Sequence, residues 1–88
     1  MAKLGLDPEA MAALQKQLQA DAGAITSLTK KLDGLLKAAW WEGADATKFR
    51  GEWDGGHKAQ LARVAAALEA AAQAVATNVA QQRQASGS

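Results

Sequence analysis

The sequence predicts an all-α protein, an antiparallel two-helix hairpin that dimerises into a four-helix bundle. Three observations indicate this fold. Apolar residues recur three or four positions apart along two long stretches, and a glycine-containing corner separates these stretches near mid-chain. Ala accounts for 23 of the 88 residues, whereas Pro occurs once. Because a chain this small buries too little apolar surface alone, we expect a single domain, residues 1–88, that a second hairpin covers.

The first predicted helix covers residues 8–39. Asp7 is suited to cap this helix, and Pro8 fits its first position. Only Asp21 interrupts the apolar row, and the neighbouring Ala22 is expected to take its contact. The row follows a seven-residue repeat, which is typical of long helices packed side by side. Its members are Met11, Leu14, Leu18, Ile25, Leu28, Leu32, Leu35 and Ala39.

The predicted turn covers residues 40–44, where Gly43 can adopt the positive φ that reverses the chain. The second predicted helix covers residues 45–80. Its apolar row is expected to join the first row in a seam that forms the hairpin core and the dimer contact. The members are Ala46, Phe49, Trp53, His57, Leu61, Val64, Leu68, Ala71 or Ala72, Val75 and Val79.

Two local features of this second helix depart from a regular repeat. Successive steps of four residues, from Trp53 to His57 to Leu61, predict a shift in helical phase. Residues 81–88 are polar and unpatterned, so we expect a flexible tail there.

The aromatic residues of the corner have different expected roles. Trp40 continues the row of Leu32 and Leu36 at steps of four, so we expect it to be a buried plug at the open end of the hairpin. Phe49 and Trp53 lie on the predicted seam and are expected in the core.

Asp54 and Asp21 are expected to have structural roles only. Arg50 and Asp54 are expected to form an exposed ion pair of small energetic weight. Asp21 has two open interpretations: it sits at the edge of the seam, or it fixes the register of the helices.

Composition excludes several classes of function. Ten Lys and Arg against nine Asp and Glu give a net charge of +1 without a basic stripe, so we expect no nucleic-acid binding. The chain has no Cys, and its single His, His57, has Leu61 where a second ligand would stand, so we expect no metal and no cofactor. No catalytic set of side chains stands out, so we expect no enzyme.

The same composition bears on membranes and export. No stretch approaches the length of about 18 apolar residues that spans a bilayer, so we expect no stable membrane insertion. The start of the chain carries one Lys followed by no apolar segment, so we expect no Sec signal peptide.

The corner carries a family resemblance. Trp41-Glu42-Gly43 lies between two long helical patterns, and Ala46, Phe49 and Trp53 follow at matching spacing. This pattern resembles the WXG-100 (ESAT-6-like) family of small proteins exported by type VII secretion systems, and the resemblance covers nearly the whole chain. It implies that Trp41 and Gly43 belong to a surface that the secretion machine or a partner recognises, whereas the residues alone leave open that Trp41, like Trp40, plugs the end of the hairpin.

The resemblance also implies partners and a location. The expected partners are a second copy in a homodimer, or a second WXG-type protein in a heterodimer, together with the ATPase of the secretion system. The expected location is extracellular, after synthesis in the cytoplasm.

One departure from the family pattern concerns the export signal. Many members carry a Tyr followed four residues later by an acidic residue, whereas this chain has no Tyr and its last acidic residue is Glu69. Three explanations stay open: a partner supplies the signal, the chain has been shortened, or this branch uses another signal.

Three hypotheses for function follow. The favoured one is a secreted, dimeric helical-hairpin protein that acts as a substrate, an effector or an export partner. The second is an amino-terminal targeting domain or a helper of a larger secreted toxin. The third is a membrane-active helix pair, which Arg63, Glu69 and the abundant Gln of the second helix disfavour.

Overall fold

The computed structural model describes residues 5–87 and consists of two antiparallel helical rods. The first rod is α1, Pro8–Ala38. The second rod, in chain order, is α2 (Ala44–Glu52), a π-helical segment (Trp53–His57) and α3 (Lys58–Gly87). No strand occurs within residues 5–87, and the hairpin measures 65 × 17 × 14 Å. The predicted all-α class and the helical hairpin are therefore confirmed, while the outermost residues of the predicted domain, 1–4 and 88, lie outside the described residues.

The ends of α1 follow from local chemistry. The backbone N–H of Glu9 donates a 3.1 Å hydrogen bond to Asp7 Oδ1, and Pro8 occupies the first turn, where its missing N–H costs nothing. At the other end Ala39 is extended, with φ −71° and ψ 134°. The helix therefore stops one residue before the predicted limit, and residues 39–43 form the corner.

Small residues line the contact between the rods. Ala22 of α1 and Ala65 and Ala72 of α3 are 1–4% exposed, which allows the two backbones to approach closely. As expected, Ala22 and not the neighbouring Asp21 lies in the contact between the rods. The buried apolar residues are Ala22, Ala46, Trp53, Ala65, Ala72, Val75 and Val79.

The predicted phase shift is present as the π-helical segment. The backbone N–H of Lys58 donates to the carbonyl of Trp53, five residues earlier, instead of to the residue four earlier. This wider turn accommodates the eight-residue step from Trp53 to Leu61, so the residues before and after the segment keep facing α1.

The second rod extends further than predicted. Its helix continues to Gly87, so the predicted helix end at residue 80 is wrong. The physical reason is that Gln, Arg and Ala, which dominate residues 80–85, are good helix formers, and neither Gly nor Pro intervenes between 57 and 86.

Candidate functional site

The predicted seam residues separate into two groups in the structure. Those of the first group lie between the rods and are half-buried or buried: Leu18, Ile25, Leu61, Leu68 and Val75. Those of the second group keep 38–57% of their surface exposed, and we call them the outer strip: Leu14, Leu28, Leu32 and Leu35 of α1, with Phe49 and Val64 of the second rod. Phe49 therefore lies outside the core of the single hairpin, and its predicted place on a dimer seam stays a prediction, whereas Trp53, 6% exposed, is in the core as predicted.

Helix geometry places the outer strip on one side of the hairpin. Leu28 lies three residues after Ile25, and Val64 lies three residues after Leu61, so each is displaced from the contact in the same rotational sense. Two antiparallel helices packed side by side are related by an approximate two-fold axis perpendicular to the plane that contains both. Side chains displaced by the same angle on the two helices therefore emerge on the same side of that plane. The outer strip therefore lies on one face of the rod, and the exposed Asp21 interrupts it between Leu14 and Leu28.

The π-helical segment brings Phe49 onto that face. Phe49 and Val64 are fifteen residues apart, one more than two seven-residue repeats. Because the π turn accommodates one extra residue, both side chains project from the same side of the second rod.

The corner is held in a conformation that only glycine adopts readily. Gly43 has φ 118° and ψ 178°, so the predicted positive φ is confirmed. Its carbonyl accepts a 3.1 Å hydrogen bond from the N–H of Thr47, and Gly43 thereby serves as the N-cap of α2.

The two tryptophans of the corner differ in environment. Trp40 is 89% exposed, so its prediction as a buried plug is wrong. The reason is that α1 ends at Ala38 and the extended Ala39 turns the chain away, so the four-residue row through Leu36 stops before Trp40. Trp41 is 41% exposed and lies against the second rod.

Two side chains of α2 surround the Trp41 ring. The Phe49 ring centroid lies 5.9 Å from that of Trp41 at an interplanar angle of 52°, a favourable tilted arrangement. The guanidinium carbon of Arg50 lies 5.8 Å from the Trp41 centroid, within the range of a cation–π contact. One part of the ring is therefore fixed against α2 while the remainder faces solvent.

Arg50 also binds the carboxyl end of α1. Its Nη2 donates to the carbonyls of Leu36 at 2.9 Å and Ala39 at 3.0 Å, and its Nη1 donates to the carbonyl of Trp41 at 2.7 Å. The last carbonyls of a helix lack partners within the helix and carry partial negative charge, which a cation stabilises. The expected surface pair of Arg50 with Asp54 is therefore wrong, and Asp54 instead pairs with Lys58 at 3.4 Å.

A second polar cluster joins the rods next to the π-helical segment. Asp33 Oδ1 accepts hydrogen bonds from Trp53 Nε1 and from Lys58 Nζ, each at 3.1 Å, and its Oδ2 pairs with Lys37 Nζ at 2.9 Å. These hydrogen bonds from Lys37, Trp53 and Lys58 hold the pKa of the Asp33 carboxyl far below its usual value. The hydrogen bond to Asp33 raises the pKa of Lys58.

Sequence reasoning missed Arg50 and Asp33 as contacts between the rods. For Arg50 a signal existed: with the extra residue of the π-helical segment, Arg50 falls in line with Lys58, Ala65 and Ala72, which face α1. For Asp33 the signal was weaker, because a carboxylate beside an apolar row also occurs on solvated helix faces.

The remaining singled-out polar residues lie at the surface. Asp21 is exposed and accepts a 2.8 Å hydrogen bond from Gln17 Nε2, which agrees with its interpretation as an edge residue. His57 is exposed. Across residues 5–87 no three His, Cys, Asp or Glu side chains are grouped to hold a metal ion. No helix in the same range is long and apolar enough to cross a membrane.

No family model, no curated protein and no solved structure matches this chain.

Proposed function

We propose that this chain is a non-enzymatic helical-hairpin protein of the WXG-100 type. It is made in the cytoplasm, pairs with a second hairpin, and leaves the cell through a type VII secretion system as a substrate or as the export partner of one. The observation that carries this proposal is the combination of the apolar outer strip with a Trp-x-Gly corner at one end of the rod.

The outer strip supports the pairing. Six large apolar side chains that are 38–57% exposed lie on one face of a rod 65 Å long and at least 14 Å wide. A standard protein interface buries roughly 800 Å² per partner, which a second hairpin would reach by lying lengthwise along the rod and not by crossing it. A second hairpin, laid along this strip, would complete a four-helix bundle.

The corner supports recognition by the export machinery. Trp41 presents a partly exposed ring that is held against Phe49, and the adjacent Gly43 has the positive φ that forms the turn. A large ring held in one orientation loses little conformational entropy on binding, which is the property of interface residues that dominate affinity.

An export assay tests the proposal. An epitope-tagged copy is expressed in a bacterium with a functional type VII system and in the same strain lacking the secretion ATPase. We expect the protein in the culture medium of the first strain and in the cells of the second. Equal amounts in both media, measured beside a cytoplasmic marker for lysis, would contradict export by this route.

Substitution of the two corner tryptophans provides a matched pair. Trp41→Ala should reduce export while helix content is kept, whereas Trp40→Ala serves as a control that removes an equal ring from the neighbouring position. If Trp41→Ala is exported like the unmodified protein, Trp41 is not part of the recognised surface. If Trp40→Ala stays in the cells while Trp41→Ala is exported, the Trp40 ring is the one that is recognised.

A further inference from the structure

Arg50 of α2 contacts the end of α1, the corner and the Trp41 ring. Its guanidinium binds the last turn of α1 through the Leu36 carbonyl, the corner through the carbonyls of Ala39 and Trp41, and the Trp41 ring through its face. The side chain itself comes from α2, and it is half-buried. Arg50 thus holds the Trp41 backbone and, together with Phe49, holds the Trp41 ring against α2.

The geometry requires arginine in particular. Three carbonyl oxygens are bound by two different nitrogens of one planar group, which also lies near an aromatic ring. A guanidinium presents five donors in a rigid fork and stacks on aromatic faces, whereas a lysine ammonium is a compact charge on a flexible stem. Lysine at position 50 would keep the positive charge near the end of α1 but could not hold the carbonyls and the ring together.

We propose that Arg50 is the positioning residue that presents the Trp41 ring at the corner in a fixed orientation. Through that orientation Arg50 controls recognition of the corner by the export machinery, a consequence that rests on the function proposed above. The positioning itself is a property of the hairpin and is testable without secretion.

Fluorine NMR of protein labelled with 5-fluorotryptophan tests the positioning. The three tryptophans give three signals in different settings: Trp40 almost fully exposed, Trp53 buried and bonded to Asp33, and Trp41 between them. In Arg50→Lys we expect the Trp41 signal to move toward that of Trp40 while the Trp53 signal stays in place. A Trp41 signal that does not move in the folded variant overturns the proposal. The Trp53 signal reports whether the fold is intact: if Arg50→Lys disturbs the whole hairpin, the Trp53 signal moves as well.

A measurement on the unmodified protein covers the case in which Arg50→Lys unfolds. Hindered rotation of a bound guanidinium separates the nitrogen-15 signals of its two Nη groups at low temperature, whereas a free guanidinium gives an averaged signal. We expect separate signals for Arg50 and averaged signals for the exposed Arg63 and Arg83. Averaged signals for Arg50 overturn the proposal whatever the variant does.

The link to export is tested by combining variants. If Arg50 acts through Trp41, Arg50→Lys lowers export, and adding it to Trp41→Ala causes no further loss. A further loss in the double variant would show that Arg50 contributes independently of the ring and would overturn the link. If Trp41→Ala itself leaves export unchanged, the proposed recognition fails, while the NMR result still decides the positioning.

Discussion

The indole Nε1 of Trp53 donates a 3.1 Å hydrogen bond to Oδ1 of Asp33, so the largest buried side chain of the second rod is joined to α1 by a polar contact. Lys58, the first residue after the π-helical segment, donates to the same oxygen. Asp33 therefore binds the first residue of that segment and the residue that follows it.

Stability should fall with acid because of this carboxylate. The folded-state pKa of Asp33 lies below its ordinary value of 3.8, so its contribution to the free energy of unfolding is present above about pH 4 and is lost as the pH falls through the lowered pKa. Asp33→Asn should therefore be less stable than the unmodified protein at pH 7, and the difference should narrow below pH 3.8. Urea unfolding between pH 2 and 7, followed by circular dichroism, measures both. Asp21→Asn removes a carboxylate from the same helix at the surface and is the control; an equal effect in both variants would contradict the specific role of Asp33.

Stability should also fall in alkali because of Lys58, which donates to Asp33. The pKa of Lys58 is raised above 10.5 by its hydrogen bond to Asp33, so its stabilising contribution is present below pH 10.5 and is lost as the pH rises through the raised pKa. Lys58→Gln should remove this dependence. Unfolding measured from pH 8 to 12, with Lys48→Gln as the control on an exposed lysine, checks the expectation; identical pH profiles for both variants would argue against it.

Glycine is required at the corner and is dispensable inside α1. Gly43 has φ 118° and ψ 178°, a region nearly exclusive to glycine, so Gly43→Ala should cost about 1–3 kcal/mol of unfolding free energy. Gly34→Ala is the matched control, since a Cβ there meets nothing within 4 Å, and it should stabilise the helix by about 0.5–1 kcal/mol. Denaturant unfolding of the two variants measures the contrast, and effects of the same sign would contradict it.

Trp53 and Trp40 should contribute very differently to the free energy of unfolding. Trp53 is 6% exposed, so Trp53→Ala should cost about 3–5 kcal/mol, as is typical of a buried aromatic residue. Trp40 is 89% exposed, so Trp40→Ala should change stability by no more than about 0.5 kcal/mol. Chemical denaturation of both variants tests this, and a large loss in Trp40→Ala at a concentration where the protein is monomeric would restore the role of Trp40 as a plug.

The proposed dimer makes a separate prediction for the outer strip. Leu28 is 53% exposed in the single hairpin, so Leu28→Ala should weaken association more than it weakens the hairpin. Light scattering at micromolar concentration should give about twice 9.1 kDa for the unmodified protein and a lower mass for the variant. Gln19→Ala changes an exposed polar residue outside the strip and should leave the mass unchanged. A measured mass of 9.1 kDa for the unmodified protein at high concentration would contradict homodimerisation.

The backbone plan of this protein could be predicted from its sequence, because each determinant is local. Asp7 and Pro8 define the start of α1, Gly43 defines the corner, and the two steps of four from Trp53 to Leu61 correspond to the π-helical segment. The helix end at Gly87 was missed because a polar stretch without apolar spacing can still be helical when its residues favour the helix.

The candidate site could be predicted only in part. Spacing identified the apolar rows of α1, but it could not tell which of two neighbouring rows faces the second rod. That choice depends on the small residues opposite: Ala65 and Ala72 allow Ala22 into the contact and leave Leu28 outside. The spacing of Arg50 to Ala65 indicates that it faces α1, but the backbone carbonyls that it binds there carry no signature in the sequence.

The π-helical segment also affects which changes in chain length this fold can accept. It contains one residue more than an α-helix needs to keep Arg50 and Ala65 on the same side, and two of its five residues are the adjacent Gly55 and Gly56. Deletion of either glycine would leave an ordinary α-helix with both halves of the rod still correctly oriented. Deletion at another point of the rod would rotate everything beyond it by about 100°, turning the apolar face away from α1. Related chains one residue shorter at this point could therefore share the hairpin unchanged.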